Sequence, residues 1–135
     1  MRSGGFTLVE VAVVLAVAAL LLTLTLPSSM GPLLKARRSD AVSALMRVQL
    51  AQEQFRAHHG IYSANRQALI GASFTRSESG WYDITLVQVQ PDRYQASAVP
   101  RADSPQANDR ECPRLTLVVS DGRAEFGPTL RCWNR

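Results

Sequence analysis

Residues 6–26 read FTLVEVAVVLAVAALLLTLTL, an apolar run in which Glu10 is the only ionisable side chain. Coiled as a helix, the run is about 31 Å long, against a bilayer hydrocarbon core of roughly 30 Å. It is long enough to span a membrane. A carboxylate at the centre of such a helix costs roughly 2.5 to 3.5 kcal/mol, and an ionisable group placed there is by default a functional residue with a partner. A cleavable secretory signal fits poorly, because its apolar stretch is roughly 7 to 15 residues and ends in a small-x-small cut. The PSSMGP immediately after this run offers no such cut, and Arg2 is the only basic side chain ahead of it.

About a hundred residues lie beyond the run, enough for one modest core. The net charge of +4 suits an anionic partner such as nucleic acid or a membrane surface, and suits an ordinary basic extracytoplasmic protein equally well. Cys112 and Cys132 are the only cysteines, with no CxxC spacing and no histidine near them in sequence, which argues against zinc. In an oxidising compartment they would close one disulfide around the segment 112–132, worth ~3 kcal/mol by loop closure. Topology signals conflict. Lys35, Arg37 and Arg38 lie shortly after the apolar run and by the positive-inside rule would hold that side in the cytoplasm. The cysteine pair argues for export and carries more weight, since a lone pair so placed has no better use in a reducing compartment.

The short polar leader ending Gly4-Gly5, followed by Phe6-Thr7-Leu8-Val9-Glu10 and the apolar run, resembles the class III signal of type IV pilins and pseudopilins. The resemblance implies that a prepilin peptidase cuts between Gly5 and Phe6, removing residues 1–5, and methylates the new N-terminus at Phe6. It implies too that Glu10, fifth in the mature chain, pairs with the N-terminal amine of a neighbouring subunit. A carboxylate and an ammonium buried together cost far less than either alone. A misregistered subunit would strand both charges, so the pair sets axial register as a buried polar group does in a coiled coil. Pro27 ends the run and on steric grounds should kink the helix, with Gly31-Pro32 a second weak point between Ser28 and Leu33.

Segment 27–58 reads as the amphipathic second half of a long helix. Leu34, Ala41, Leu45, Val48 and Phe55 share one face, while Arg38, Asp40, Arg47, Gln49 and Arg56 lie mostly off it. Lys35, Arg37 and Arg38 read as a solvated or headgroup-facing collar. His58 and His59, just before Gly60, suit a helix C-terminal cap. Segment 59–80 is a loop whose GIYSANRQALIG is similar to the corresponding stretch of PilE-type minor pilins, with Tyr62 expected to pack inward.

Segment 81–135 carries strand signals. WYDITLVQV alternates, with Tyr82, Ile84 and Leu86 on one face, and 93–99 comes next as its partner. A three-residue loop over Pro91–Arg93 would set Leu86 opposite Ala98. A second hairpin turns at Asp121-Gly122, which places Val119 opposite Ala124 and Leu117 opposite Phe126. Between the hairpins, PRADSPQANDRECP reads as an exposed polar connection. The spacing of Gln106, Asp109 and Cys112, with Cys132-Trp133 at the end, again resembles PilE-type minor pilins, in which a C-terminal disulfide loop is a surface-exposed variable region.

The expected fold is α+β, a type IV pilin fold with a long N-terminal helix packed on a four-stranded antiparallel sheet and a C-terminal disulfide loop. No nucleophile, acid pair or phosphate-cradling loop stands out, so the reading is a structural protein with no enzymatic role, cofactor or metal. The resemblance implies a minor pilin that sits in the bacterial inner membrane with a periplasmic head. Trimmed by the peptidase, it joins other pilin subunits in an extracellular pilus and helps to initiate assembly. Two alternatives stand beside it. One is a type II secretion pseudopilin, disfavoured because the cysteine pair looks more like a pilus subunit. The other is a DNA-binding pilin for natural transformation, suggested by Arg101, Arg110, Arg114, Arg123, Arg131 and Arg135 near the disulfide region.

Overall fold

The computed structural model describes residues 7–25, 30–72 and 75–135, with side chains for all of these but 22–25 and 30. It comprises two units, Met1–Leu33 and Leu34–Arg135, each described by itself.

In the first unit, helix α1 spans Leu8–Thr25. Thr7 caps its start, the Thr7 Oγ1 accepting the backbone N–H of Glu10 at 3.3 Å. Leu8, Val9, Val13, Leu15 and Leu20 are all exposed. A helix apolar on every side has no preferred core-facing stripe of its own and is built for burial in lipid or among other helices. Among the described residues no helix is long and apolar enough to cross a membrane. The span expected over 6–26 includes Phe6 and Leu26, which lie outside the described residues, as do Gly5 and the expected kink at Pro27.

Helix α2 spans Met30–His59. Gly31-Pro32, expected to be a weak point, lies within α2, and Ser28 at the start of that expected stretch lies outside the described residues. The helix ends as expected. Gly60 has φ +77° and its N–H returns to the Arg56 carbonyl at 2.7 Å, while His59 stacks on Phe55 with ring centroids 4.0 Å apart.

Strands β1 (Tyr82–Val87), β2 (Arg93–Pro100), β3 (Leu115–Ser120) and β4 (Arg123–Gly127) form one antiparallel sheet in that order. The second hairpin has the expected register, Val119 opposite Ala124 and Leu117 opposite Phe126. Asp121 and Gly122 take φ of 50° and 77°, the double positive φ that a two-residue hairpin turn demands. The first hairpin is corrected by two residues, with Leu86 opposite Ala96 and Ile84 opposite Ala98. Gln88 adopts φ 51°, which stops β1 at Val87 and lengthens the loop to 88–92. A two-residue shift preserves the alternation, so the same side chains still face inward.

The core lies between α2 and the inner sheet face. Ala41, Ala44, Leu45, Val48 and Ala51 of α2 are buried, as are Tyr82, Ile84, Tyr94, Ala96, Ala98, Leu117 and Val119 of the sheet. Tyr62 packs inward as expected, edge-on to Tyr94 with centroids 4.8 Å apart. Gln52 holds its loop by exchanging two hydrogen bonds with the Ser63 backbone, at 2.8 and 2.9 Å.

Candidate functional site

Of the expected collar of Lys35, Arg37 and Arg38, Lys35 is exposed and Arg37 half-buried, but Arg38 does not belong to it. Arg38 is only 2% exposed. Its Nε and Nη2 donate to the two carboxylate oxygens of Asp109 at 2.7 and 2.8 Å, and Nη2 also reaches Glu111 Oε2 at 2.8 Å. Glu111 in turn meets Arg131 at 3.4 Å. The hydrogen bonds from Arg38 hold the Glu111 carboxyl below its ordinary range, and the same carboxylates hold the Arg38 guanidinium firmly protonated. Arg38 belongs on the buried stripe by spacing: positions 34, 38, 41, 45, 48, 52 and 55 advance by alternating steps of four and three, which is one helix face. Residue type concealed it. The same stripe explains the burial of Gln52.

The connection read as exposed is corrected by the same contacts, because Gln106 and Asp109 are buried. Gln106 Nε2 donates to the Leu34 carbonyl at 3.2 Å and to the Tyr82 hydroxyl at 2.7 Å. A polar segment can lie inside when most of its inward groups meet fixed partners, and here Gln106 Oε1 is the one atom of the segment buried without one among the described residues. Cys112 and Cys132 are joined, Sγ to Sγ at 2.02 Å, and both are buried. Trp133 donates its indole N–H to the Gly127 carbonyl at 2.9 Å, and Asn134 reaches the Lys35 carbonyl at 3.4 Å. The start of α2, the segment 101–114 and the tail 130–135 thus form one connected region.

That region concentrates positive charge. Residues 34–38, 101–114 and 130–135 hold eight of the fourteen Lys and Arg in 34–135, but only three of the ten Asp and Glu. Arg110, Arg114 and Arg123 are exposed and form no ion pair among the described residues. Of these, Arg110 and Arg114 lie in the basic region, whereas Arg123 begins β4. Arg131 is half-neutralised by Glu111, Arg101 is held by Asp103 at 2.6 Å, and the Arg135 guanidinium sits 4.8 Å over the Phe126 ring. Asp109, Glu111 and Cys112 are the one grouping of metal-ligand types among the described residues, but the sulfur is in the disulfide and both carboxylates are on Arg38.

In the first unit, Glu10 lies beside Val11, Val14 and Leu15 on the surface of α1, and its carboxylate has no partner among the described residues.

Residues 27–116 match the family described as type IV minor pilin ComP, DNA uptake sequence receptor. This chain belongs to the type IV minor pilins. Residues 1–26 match the prokaryotic N-terminal methylation motif. The pilin is also similar to the type II secretion system core protein G of Pectobacterium carotovorum subsp. carotovorum, 34% identical over 68 residues, which is 50% of this chain and 44% of that protein. The aligned part therefore spans less than half the length of that relative. Type IV pilins are structural subunits, and the sheet, the α2 packing and the C-terminal disulfide of this minor pilin have the form expected of that fold.

Proposed function

We propose that this minor pilin is cut between Gly5 and Phe6 by a prepilin peptidase, methylated at Phe6, and held in the inner membrane with its head in the periplasm. It then joins other pilin subunits in the filament through α1, where Glu10 meets the neighbouring N-terminal amine. The methylation-motif match over residues 1–26 supports this pathway. Intact mass of protein purified from membranes of cells carrying the peptidase tests it: loss of Met1–Gly5 with one added methyl group is expected, and an intact N-terminus would remove it.

Within the pilus, the head of this subunit binds duplex DNA. The observation that carries this reading is the concentration of basic residues around the Arg38 clamp and the disulfide, with Arg110 and Arg114 free at the surface. The family match to a DNA uptake sequence receptor supports it. Guanidinium groups that neutralise phosphates release counterions, so affinity falls steeply as salt rises. A duplex titrated at several salt concentrations should show that slope, weakened in the Arg110→Ala, Arg114→Ala double variant. Binding no better than a charge-matched control protein at low salt would sink the idea. The likeness to core protein G favours a second reading as a secretion pseudopilin. Recovery from a secretion filament and absence from sheared pili would decide for it.

A further inference from the structure

The outer face of the sheet, turned away from α2, carries a second group of arginines, which meets the basic region at Arg114. The register places Arg93 of β2 opposite Ser120 of β3, and Ser120 opposite Arg123 of β4. Side chains alternate along a strand, and the neighbours Tyr94 and Val119 are buried in the core, so these three point outward. At about 4.8 Å between strands, the two arginine positions stand about 10 Å apart with a serine hydroxyl between them. Both arginines are exposed, and neither forms an ion pair among the described residues. They line a cleft of about 330 Å³ with Ser120, Val118, Asp121 and Glu125. Asp121 and Glu125 bring two carboxylates to the same cleft, and a third guanidinium, that of Arg56, stands close by. That guanidinium lies at the adjacent turn, 3.6 Å from where a side chain on Gly122 would begin. Glu125 stands one row further along, opposite Val118.

On the same face, Arg114 falls in line with Thr116, Val118 and Ser120, about 20 Å from Ser120 at 3.3 Å per residue. The outward positions between them on β2 and β3, Gln95, Ser97, Thr116 and Val118, carry no charge. We propose that this face is a second phosphate-contacting surface. Arg93 and Arg123 clamp a phosphate across Ser120, and the strand runs from there toward Arg114. The proposal rests on the DNA-binding reading above and adds to it a surface that shares only Arg114 with the basic region.

Duplex binding by the full chain in detergent, measured across a salt series, tests it with three variants: Arg93→Ala with Arg123→Ala, Glu125→Gln, and Arg76→Ala. Arg93 and Arg123 hold one phosphate between them, and each lost phosphate contact lowers the slope of log affinity against log salt by about 0.9, so the double variant should lose about 0.9. Glu125→Gln should raise affinity at low salt, because it removes the opposing charge from the cleft. Arg76, 62% exposed and paired with Asp83, serves as a control whose loss should leave the slope unchanged. A wild-type slope in the double variant, with a wild-type melting temperature, would overturn the clamp. If the double variant fails to fold, Glu125→Gln decides, and unchanged affinity there overturns it. The two readings separate: binding lost on replacing Arg110 and Arg114 but not Arg93 and Arg123 leaves DNA binding standing and removes only the clamp, whereas no binding by the wild-type chain removes both.

Discussion

Glu10 on α1 and Arg38 on α2 are both charged side chains set into otherwise apolar helix faces, and the molecule treats them differently. Arg38 finds Asp109 and Glu111 within its own chain, with both Asp109 oxygens inside 2.8 Å. Glu10 finds no side-chain partner among the described residues and stays on an exposed apolar surface. A charge resolved within one chain ties distant segments together and is part of folding. A charge left unresolved on an apolar surface calls for a second molecule. Which kind a residue is depends on whether a complementary group exists where the fold can deliver it.

The sharpest way to break this contrast is to remove Arg38. Arg38→Ala should cost the head about 3–5 kcal/mol in urea unfolding, because it strands the buried Asp109 carboxylate. Combining Arg38→Met with Asp109→Leu should recover most of that loss. A double variant as unstable as the single one would place the cost elsewhere, first in the buried Cys112 N–H, which donates to Asp109 Oδ1 at 3.2 Å. Next in size, replacing Cys112 and Cys132 by serine should cost ~3 kcal/mol. The near-ultraviolet spectrum should stay native, since Arg38 and Gln106 still hold the segment.

Acid gives a smaller effect with a defined sign. Because Arg38 lowers the Glu111 carboxyl in the folded state, its contribution is complete above the ordinary carboxylate value of 4.5 and fades as pH falls through the lowered folded value. Melting curves of wild type and Glu111→Gln should therefore differ at neutral pH and converge in acid. The smallest effect on the head belongs to Glu10. Glu10→Ala should leave its stability within about 0.5 kcal/mol, and trimming intact, while less of the subunit appears in sheared pili. Normal incorporation would remove the register role of Glu10.

Local signals were legible in the sequence wherever a short stretch settles its own conformation. Asp121-Gly122 can hardly do anything but turn, so the β3–β4 register came with it. The end of α2 at Gly60 was equally plain. The first hairpin was not, because the positive φ of Gln88 has no glycine to announce it and Pro91 drew the centre of the turn one residue too late, which shifts the register by two. The clamp was hidden for a different reason. Arg38 and Asp109 are 71 residues apart, and each alone reads as a solvated surface charge. Only the spacing of the α2 stripe pointed inward, and the polar composition of 100–113 hid Gln106 and Asp109 in the same way. The candidate DNA contacts on the sheet depend on register across three strands, which composition does not reveal.

The hydrogen bond from Asn134 to the Lys35 carbonyl brings the tail of the head back to the point where α2 enters it. Entry and exit of this unit are therefore neighbours, the arrangement that tolerates circular permutation. A short linker between residue 135 and residue 34, with the chain reopened in the 88–92 loop, yields a head free of α1 whose sheet order and disulfide are unchanged.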